Sequence, residues 1–299
     1  YLVEVLIKNG HKVTVFHKGS HSLGGRPGLT DLIGDRNNPD DLGKLHGLAF
    51  DACIDTCAYF PGQIENLGKI VKTKKYCLIS SVYVYKNKFT HLIETSELAS
   101  IDSSSATQLT PENYGALKAM CEQSARSCFS EDCLIIRPAV IIGPGDHTER
   151  MSFWVRMAAN HHKLLAPGSL ERTIQFVDVR DLAEFILKLI IDGRSGAINV
   201  AGRRYSFQEF LDRLSRLSGD HCQICKIDWE RFNRQHLNDL PFCYPEKSEN
   251  YRSELAMSWG FKDRDLGNSL ADIYEHDKKR NFRLTKYQDL EKAILDLFS

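Results

Sequence analysis

The sequence predicts an α/β protein built on a doubly wound, mostly parallel sheet. Two patterns carry that expectation. Apolar, β-rich runs alternate with helical segments up to about residue 201, and beyond Gly202 helices dominate. A third observation is size: 299 residues can bury a substantial core in one domain or two.

The elements follow in order. Tyr1–Gly10 reads as a short helix closed by a C-terminal glycine, and Lys12–Phe16 as a strand. Phe50–Thr56 is a strand, and Pro61–Thr73 a helix with proline at its start. Tyr76–Ser80 is a strand leading into the pair Ser80-Ser81. Thr110-Pro111-Glu112-Asn113 is a helix-start signal for Asn113–Cys128. Cys133–Arg137 is a strand, Val179–Ile191 an amphipathic helix and Ala197–Ala201 a strand. Ser206 then caps a helix to Leu217, Cys222–Ile227 is a short strand, and Leu284–Phe298 closes the chain as a helix.

Composition excludes several classes. Lys+Arg and Asp+Glu balance at 39 each, which leaves no electrostatic footprint for nucleic acid or an anionic membrane. No apolar run reaches the roughly 18 residues of a membrane span, and the start carries no secretory signal. Nine scattered cysteines, with Cys53, Cys57, Cys77 and Cys133 in apolar runs, read as reduced thiols of a cytoplasmic protein. Cys222 and Cys225, beside His221, have metal-site spacing. No second pair matches them and the run alternates like a strand, so no metal is expected. His161-His162 has no ligand partner at close spacing and reads as surface; Trp154, Trp229 and Trp259 read as packing residues.

The chemistry concentrates at Tyr114-Gly-Ala-Leu-Lys118. Residues four apart on a helix share a face. A phenol with a pKa of about 10 is a poor base near neutrality, and an adjacent ammonium lowers that value. A serine from the upstream strand would complete a proton-transfer trio suited to hydride chemistry at a carbinol or carbonyl carbon, with a nicotinamide as partner. The spacing alone also describes an ordinary surface helix; the strands on either side give it weight.

With Leu78–Tyr85, Glu112–Glu122, Ile135–Asp146 and Gln175–Ala183, the sequence resembles the short-chain dehydrogenase/reductase superfamily, and within it the extended and atypical NAD-dependent epimerase/dehydratase branch. The resemblance implies a Rossmann-like domain over 1–202 and a smaller, mostly helical substrate lobe over 203–299, with 144–172 contributing to the lobe. The family's first strand and Gly-x-x-Gly-x-x-Gly loop are absent from the sequence, which opens at the first helix and reads as a fragment of a longer protein, a truly shortened start being the alternative. Gly24-Gly25 does not replace the loop.

By the same resemblance Tyr114 transfers the proton, and Lys118 lowers its pKa and binds the nicotinamide ribose. Counting back from Tyr85 puts the serine at Ser81, with Ser80 the alternative. After the Lys12–Phe16 strand, His17-Lys18 offers no carboxylate for a ribose 2′-hydroxyl but a cation for a 2′-phosphate, which favours NADP over NAD. A solvated loop charge is the other reading of Lys18. Asp35 and Arg36 match the adenine position, Ala58 and Tyr59 the cofactor-lining backbone, and Pro138 the nicotinamide side. Val82 and Tyr83 stand where dehydratases carry an acid pair, which argues against dehydration, and both are candidate substrate residues. His147 and Arg150 fall where substrate enters, and Asp178 reads as a helix cap. The implied function is an epimerase or reductase acting on a small molecule, most commonly a nucleotide sugar. A homodimer through Pro61–Thr73 and Asn113–Cys128 is also implied. A non-catalytic cofactor-sensing or RNA-binding relative is the alternative, disfavoured by zero net charge and the intact Ser81, Tyr114 and Lys118.

Overall fold

The computed structural model describes residues 1–20, 24–87, 91–102, 107–130, 132–219, 222–234, 237, 239–243 and 248–297. In chain order the elements are α1 (Leu2–Lys8), β1 (Val13–His17), β2 (Leu29–Ile33), α2 (Pro39–Leu42), β3 (Ala49–Asp55), α3 (Pro61–Ile70), β4 (Lys72–Ile79), α4 (Tyr114–Phe129), β5 (Leu134–Pro138), β6 (Val140–Ile142), α5 (Arg150–Arg156), β7 (Lys163–Pro167), β8 (Thr173–Asp178), α6 (Val179–Ile191), β9 (Gly196–Val200), β10 (Arg204–Ser206), α7 (Phe207–Ser215), β11 (Gln223–Ile227), α8 (Trp229–Arg234), α9 (Glu254–Ser258), α10 (Leu266–Lys278) and α11 (Gln288–Leu297).

The chain divides into two compact units. The first comprises 1–139, 180–200 and 251–262; the second 140–179, 201–250 and 263–299. Segment 251–262, expected in the substrate lobe, therefore belongs to the first unit.

The first unit is a Rossmann-like parallel sheet. Strands β3-β4-β5-β9 pair in that order, all parallel, while β1 and β2 form a separate parallel pair in register from Val13↔Leu29 to His17↔Ile33. Among the described residues no ladder joins β1 to β3. A buried ion pair links the two pieces instead: Arg36 after β2 forks onto Asp55 at the end of β3, at 2.7 and 2.8 Å.

The sheet is buried on both faces, as parallel sheets must be. Tyr76, Leu78 and Ile135 pack against Ile64 and Leu67 of α3 and Cys121 and Ala125 of α4. The alternate residues Cys77, Ile79, Leu134 and Ile136 are equally buried, so β4 and β5 read as continuous apolar runs. Strand β4 begins at Lys72 rather than Tyr76, and α3 stops at Ile70 rather than Thr73. The lysine-rich stretch Lys72–Lys75 pairs with Ala49–Ala52, where Lys74 meets Asp51 across the strands at 2.7 Å.

The second unit holds more strand than a mostly helical lobe. Strands β10-β8-β6 form one sheet and β11-β7 another. Trp154 anchors its core, with its ring packed edge-on against Phe153, Phe207 and Phe210 and its indole N–H donated to the Pro241 carbonyl at 3.0 Å. Helix α7 starts with the expected Ser206 cap, reinforced by a reciprocal bond from Glu209.

Two expectations are corrected in this unit. His161 is half-buried and has a carboxylate partner, Glu291, at 2.6 Å; Arg156 reaches the same oxygen at 3.0 Å. Helix α11 begins at Gln288, not Leu284, because the buried Glu149 carboxylate takes the backbone N–H groups of Thr285 and Lys286 at 2.8 and 2.7 Å. Tyr287 then turns left-handed at φ 64°.

Asp178 accepts the Ser269 hydroxyl at 2.7 Å. Cys222 is buried against the Ala158 carbonyl, and His221 lies outside the described residues. Among the described residues no group of His, Cys, Asp and Glu is placed to hold a metal, and no helix is long and apolar enough to cross a membrane.

Candidate active site

Strand β4 runs into Ser80 and Ser81, and the two hydroxyls have different surroundings. Ser80 donates to the buried Glu122 carboxylate at 2.6 Å. Ser81 caps the one-turn helix Val82–Val84, and its oxygen accepts the Tyr83 backbone N–H at 3.2 Å. Among the described residues the Ser81 O–H has no acceptor, so its proton is free for a ligand oxygen.

Helix α4 starts at Tyr114, fixed by reciprocal bonds between Asn113 and Thr110 at 2.8 and 3.4 Å. Gly115 lies so close to the Val82–Val84 turn that a Cβ there would run into the Tyr83 carbonyl oxygen. The absence of a side chain thus lets the Tyr114 end of α4 meet the serine loop. The Tyr114 ring lies 6.4 Å from both the Tyr59 and Tyr83 rings, edge-on to the latter.

Lys118, one turn on, is buried. It donates to the Ala58 and Ile79 carbonyls at 2.8 and 2.7 Å, and no carboxylate among the described residues pairs with it. Burial lowers its pKa from the ordinary lysine value. Two of three ammonium protons are taken by backbone, so one donor remains.

The residues expected at the adenosine end are less open than the sequence suggested. Lys18 pairs with Asp35 at 3.0 Å. Asn37's backbone N–H, then Lys18, hold the Asp35 carboxyl below its ordinary value. The missing carboxylate also arrives from the neighbouring strand, where Asp31 of β2 meets His17 Nε2 at 2.6 Å. The Gly19 N–H donates to His17 Nδ1 at 3.1 Å, which assigns the Nε2–H tautomer with its proton toward Asp31.

Arg36 turns inward. Its fork is spent on Asp55 and the Gln63 carbonyl, so it supports the β2 exit rather than offering charge to a ligand. Ala58 is buried and contributes its carbonyl to Lys118, Tyr59 is 38 % exposed, and Pro138 is the buried last residue of β5.

Of the expected substrate residues, Val82 is buried at 1 % exposure. Tyr83 is half-buried against Tyr114. His147 and Arg150 belong to the second unit, where Arg150 donates to Thr148 at 3.0 Å and lies 5.8 Å over the Phe242 ring, and His147 is exposed. Sequence reasoning missed Asp31, Asp55, Gly115 and Glu122 as partners of the candidate residues. Only Gly115 and Glu122, inside the Glu112–Glu122 stretch, carried a local signal.

A parallel sheet presenting a serine at the end of one strand and a Tyr-x-x-x-Lys helix beside it defines a Rossmann-type enzyme of the short-chain dehydrogenase/reductase class. The sequence profile of the NAD dependent epimerase/dehydratase family matches residues 1–201, and the chain belongs to that family of nicotinamide-dependent enzymes. No curated protein matches it by sequence.

Solved structures share its fold. UDP-glucuronic acid 4-epimerase from Bacillus cereus, in complex with NAD, aligns at TM-score 0.70 with 16% identity, over 93% of this chain and 94% of that one. MoeE5 in complex with UDP-glucose and NAD aligns at 0.67 with 17% identity, over 94% and 95%. RMD from Pseudomonas aeruginosa, complexed with NADPH, aligns at 0.60 with 18% identity, over 89% and 99%.

Proposed function

We propose that the protein is an epimerase or reductase that acts on a carbinol or carbonyl carbon of a nucleotide sugar, with Tyr114 as the acid/base. The observation that carries this reading is the division between the two serines. Ser80 is committed to Glu122, whereas the Ser81 proton has no acceptor and lies on the loop against which Gly115 seats the Tyr114 helix.

The residues present fit a nicotinamide nucleotide. Lys118 is a buried cation with an unspent donor and no acid partner, which suits a ribose hydroxyl. When bound, the nicotinamide supplies the hydride acceptor or donor. Ser81 hydrogen-bonds the substrate oxygen. Tyr114 takes the carbinol proton in one direction and returns it in the other. Lys118 holds the ribose and stabilises the Tyr114 phenolate. A nucleotide sugar is the proposed substrate because structural relatives are held in complex with UDP-glucose or named for UDP-glucuronic acid.

NADP is the proposed dinucleotide. The Lys18–Asp35 pair is exposed, so it exchanges readily for a stronger anionic partner such as a 2′-phosphate. Asp31 beside His17 weighs the other way. The proposed location is the cytoplasm, where thiols such as Cys121, pushed up to about 12 by burial, stay reduced. A homodimer through α3 and α4 is proposed from the family resemblance.

The test is a fluorescence titration with NADPH and NADH, followed by turnover of UDP-sugars by the wild type and Tyr114→Phe. Turnover lost with cofactor binding retained supports the reading. Unchanged turnover in Tyr114→Phe would sink it.

A further inference from the structure

Beneath Ser81, Tyr114 and Lys118 runs a buried polar network that the proposed chemistry does not use. Its centre is Glu122 on α4, 1 % exposed. One carboxylate accepts three bonds: Ser80 Oγ at 2.6 Å, Arg137 Nε at 2.9 Å and Arg137 Nη2 at 2.6 Å. Arg137 Nη1 continues to the Tyr85 hydroxyl at 3.0 Å and the Glu94 carbonyl at 2.9 Å. The Tyr85 hydroxyl donates to Asn199 Oδ1 of β9 at 2.6 Å. None of these groups is left with a buried atom lacking a partner.

Stability alone does not call for this arrangement. A buried ion pair costs desolvation, and apolar side chains of the same shape often serve equally well. A fully satisfied network instead fixes geometry. Here the fixed parts are the ones that matter for the site. Ser80 is the neighbour of Ser81 at the end of β4. Glu122 lies one helical turn beyond Lys118 and two beyond Tyr114. Arg137 immediately precedes Pro138 at the end of β5. A two-pronged Arg–Glu contact resists both sliding and rotation of α4.

We propose that Glu122 and Arg137 are positioning residues that set the height and rotation of α4 against the end of β4, and so the placing of Tyr114 and Lys118 relative to Ser81. This rests on the assignment of those three residues to the site.

The test uses the full chain, NADH and NADPH fluorescence titrations, and thermal unfolding. It adds an absorbance titration of the Tyr114 phenol, isolated by subtracting the matching variant that also carries Tyr114→Phe. The variants are Ser80→Ala, Glu122→Gln, Arg137→Lys and the apolar double variant Glu122→Met/Arg137→Met. Lys118→Met is the control.

Glu122→Gln is expected to weaken binding of the better cofactor about tenfold and to move the phenol titration upward, because Lys118 is no longer held in place beside it. Arg137→Lys keeps the charge but not the fork and is expected to fall between Glu122→Gln and wild type. The double variant is expected to keep its unfolding temperature while losing affinity as Glu122→Gln does. Ser80→Ala, which removes only one bond, is expected to show the same direction with a smaller change.

Unchanged affinity and phenol titration in Ser80→Ala and Glu122→Gln, with Lys118→Met impaired, would overturn the positioning role alone. If Glu122→Gln or the double variant fails to fold, Ser80→Ala decides. Lys118→Met without effect, or a wild type that binds neither cofactor, would overturn both this proposal and the site assignment beneath it.

Discussion

Gly115→Ala tests whether close backbone approach, rather than helix-forming tendency, dictates the start of α4. In an ordinary helix interior, glycine to alanine stabilises by about 1 kcal/mol. At Gly115 the new Cβ would strike the Tyr83 carbonyl oxygen, a backbone atom that cannot rotate away. Forcing an extra carbon into a packed contact costs about 1–3 kcal/mol. The two effects oppose, and the contact wins by roughly 1 kcal/mol.

Because α4 must lift from the Val82–Val84 turn, Tyr114 moves with it, and cofactor affinity is expected to fall about tenfold, on the scale of 1.4 kcal/mol. Gly62→Ala provides the control. Gly62 is a helical glycine of α3 with nothing within 4 Å of its added Cβ. Urea unfolding followed by far-UV circular dichroism reads the sign. Gly62→Ala should raise the midpoint and Gly115→Ala should lower it. A Gly115→Ala protein as stable as Gly62→Ala, with unchanged NADPH and NADH binding, would refute the argument.

Further outcomes follow from the ion pairs. Burial works to raise the Asp55 carboxyl, but the Arg36 fork and the Tyr76 hydroxyl outweigh it and hold the pKa below its ordinary value. A depressed carboxyl contributes stability that is fully present above its unfolded value of about 3.9 and is lost as pH falls through the folded one. Asp55→Asn should therefore cost about 3–5 kcal/mol near neutral pH, since it leaves Arg36 uncompensated. It should also flatten the loss of stability below about pH 4, measured by urea unfolding at stepped pH. At the adenosine end, Lys18→Ala should weaken NADPH binding more than NADH, and Asp31→Asn should shift the ratio toward NADPH. Parallel fluorescence titrations decide, and equal effects on both cofactors would remove these residues from cofactor choice.

What the sequence made legible was what a single element determines. Tyr114 and Lys118 share a face because a helix repeats every 3.6 residues, and that needs no tertiary information. Strands β4 and β5 were visible as apolar runs because both faces are buried. The first half of β4 was not: Lys72–Lys75 looks like the charged end of the preceding helix until Asp51 and the Ala49–Ala52 register are known. The start of α11 was misjudged for a similar reason, since Glu149, far upstream, holds the N–H groups of Thr285 and Lys286 in a turn.

The charged residues show the limit most clearly. Arg36 and His161 were recognisable as a cation and a histidine, but their roles depend on partners 19 and 130 residues away. The choice between Ser80 and Ser81 belongs to the same class. Both are small hydroxyls at the end of one strand, and spacing alone separates them only by counting. What separates them physically is Glu122, 42 residues on, which claims the Ser80 proton and leaves that of Ser81 free. A substitution at Glu122 thus releases Ser80 as well as Arg137, and the two serines lose the asymmetry on which the proposed role of Ser81 rests.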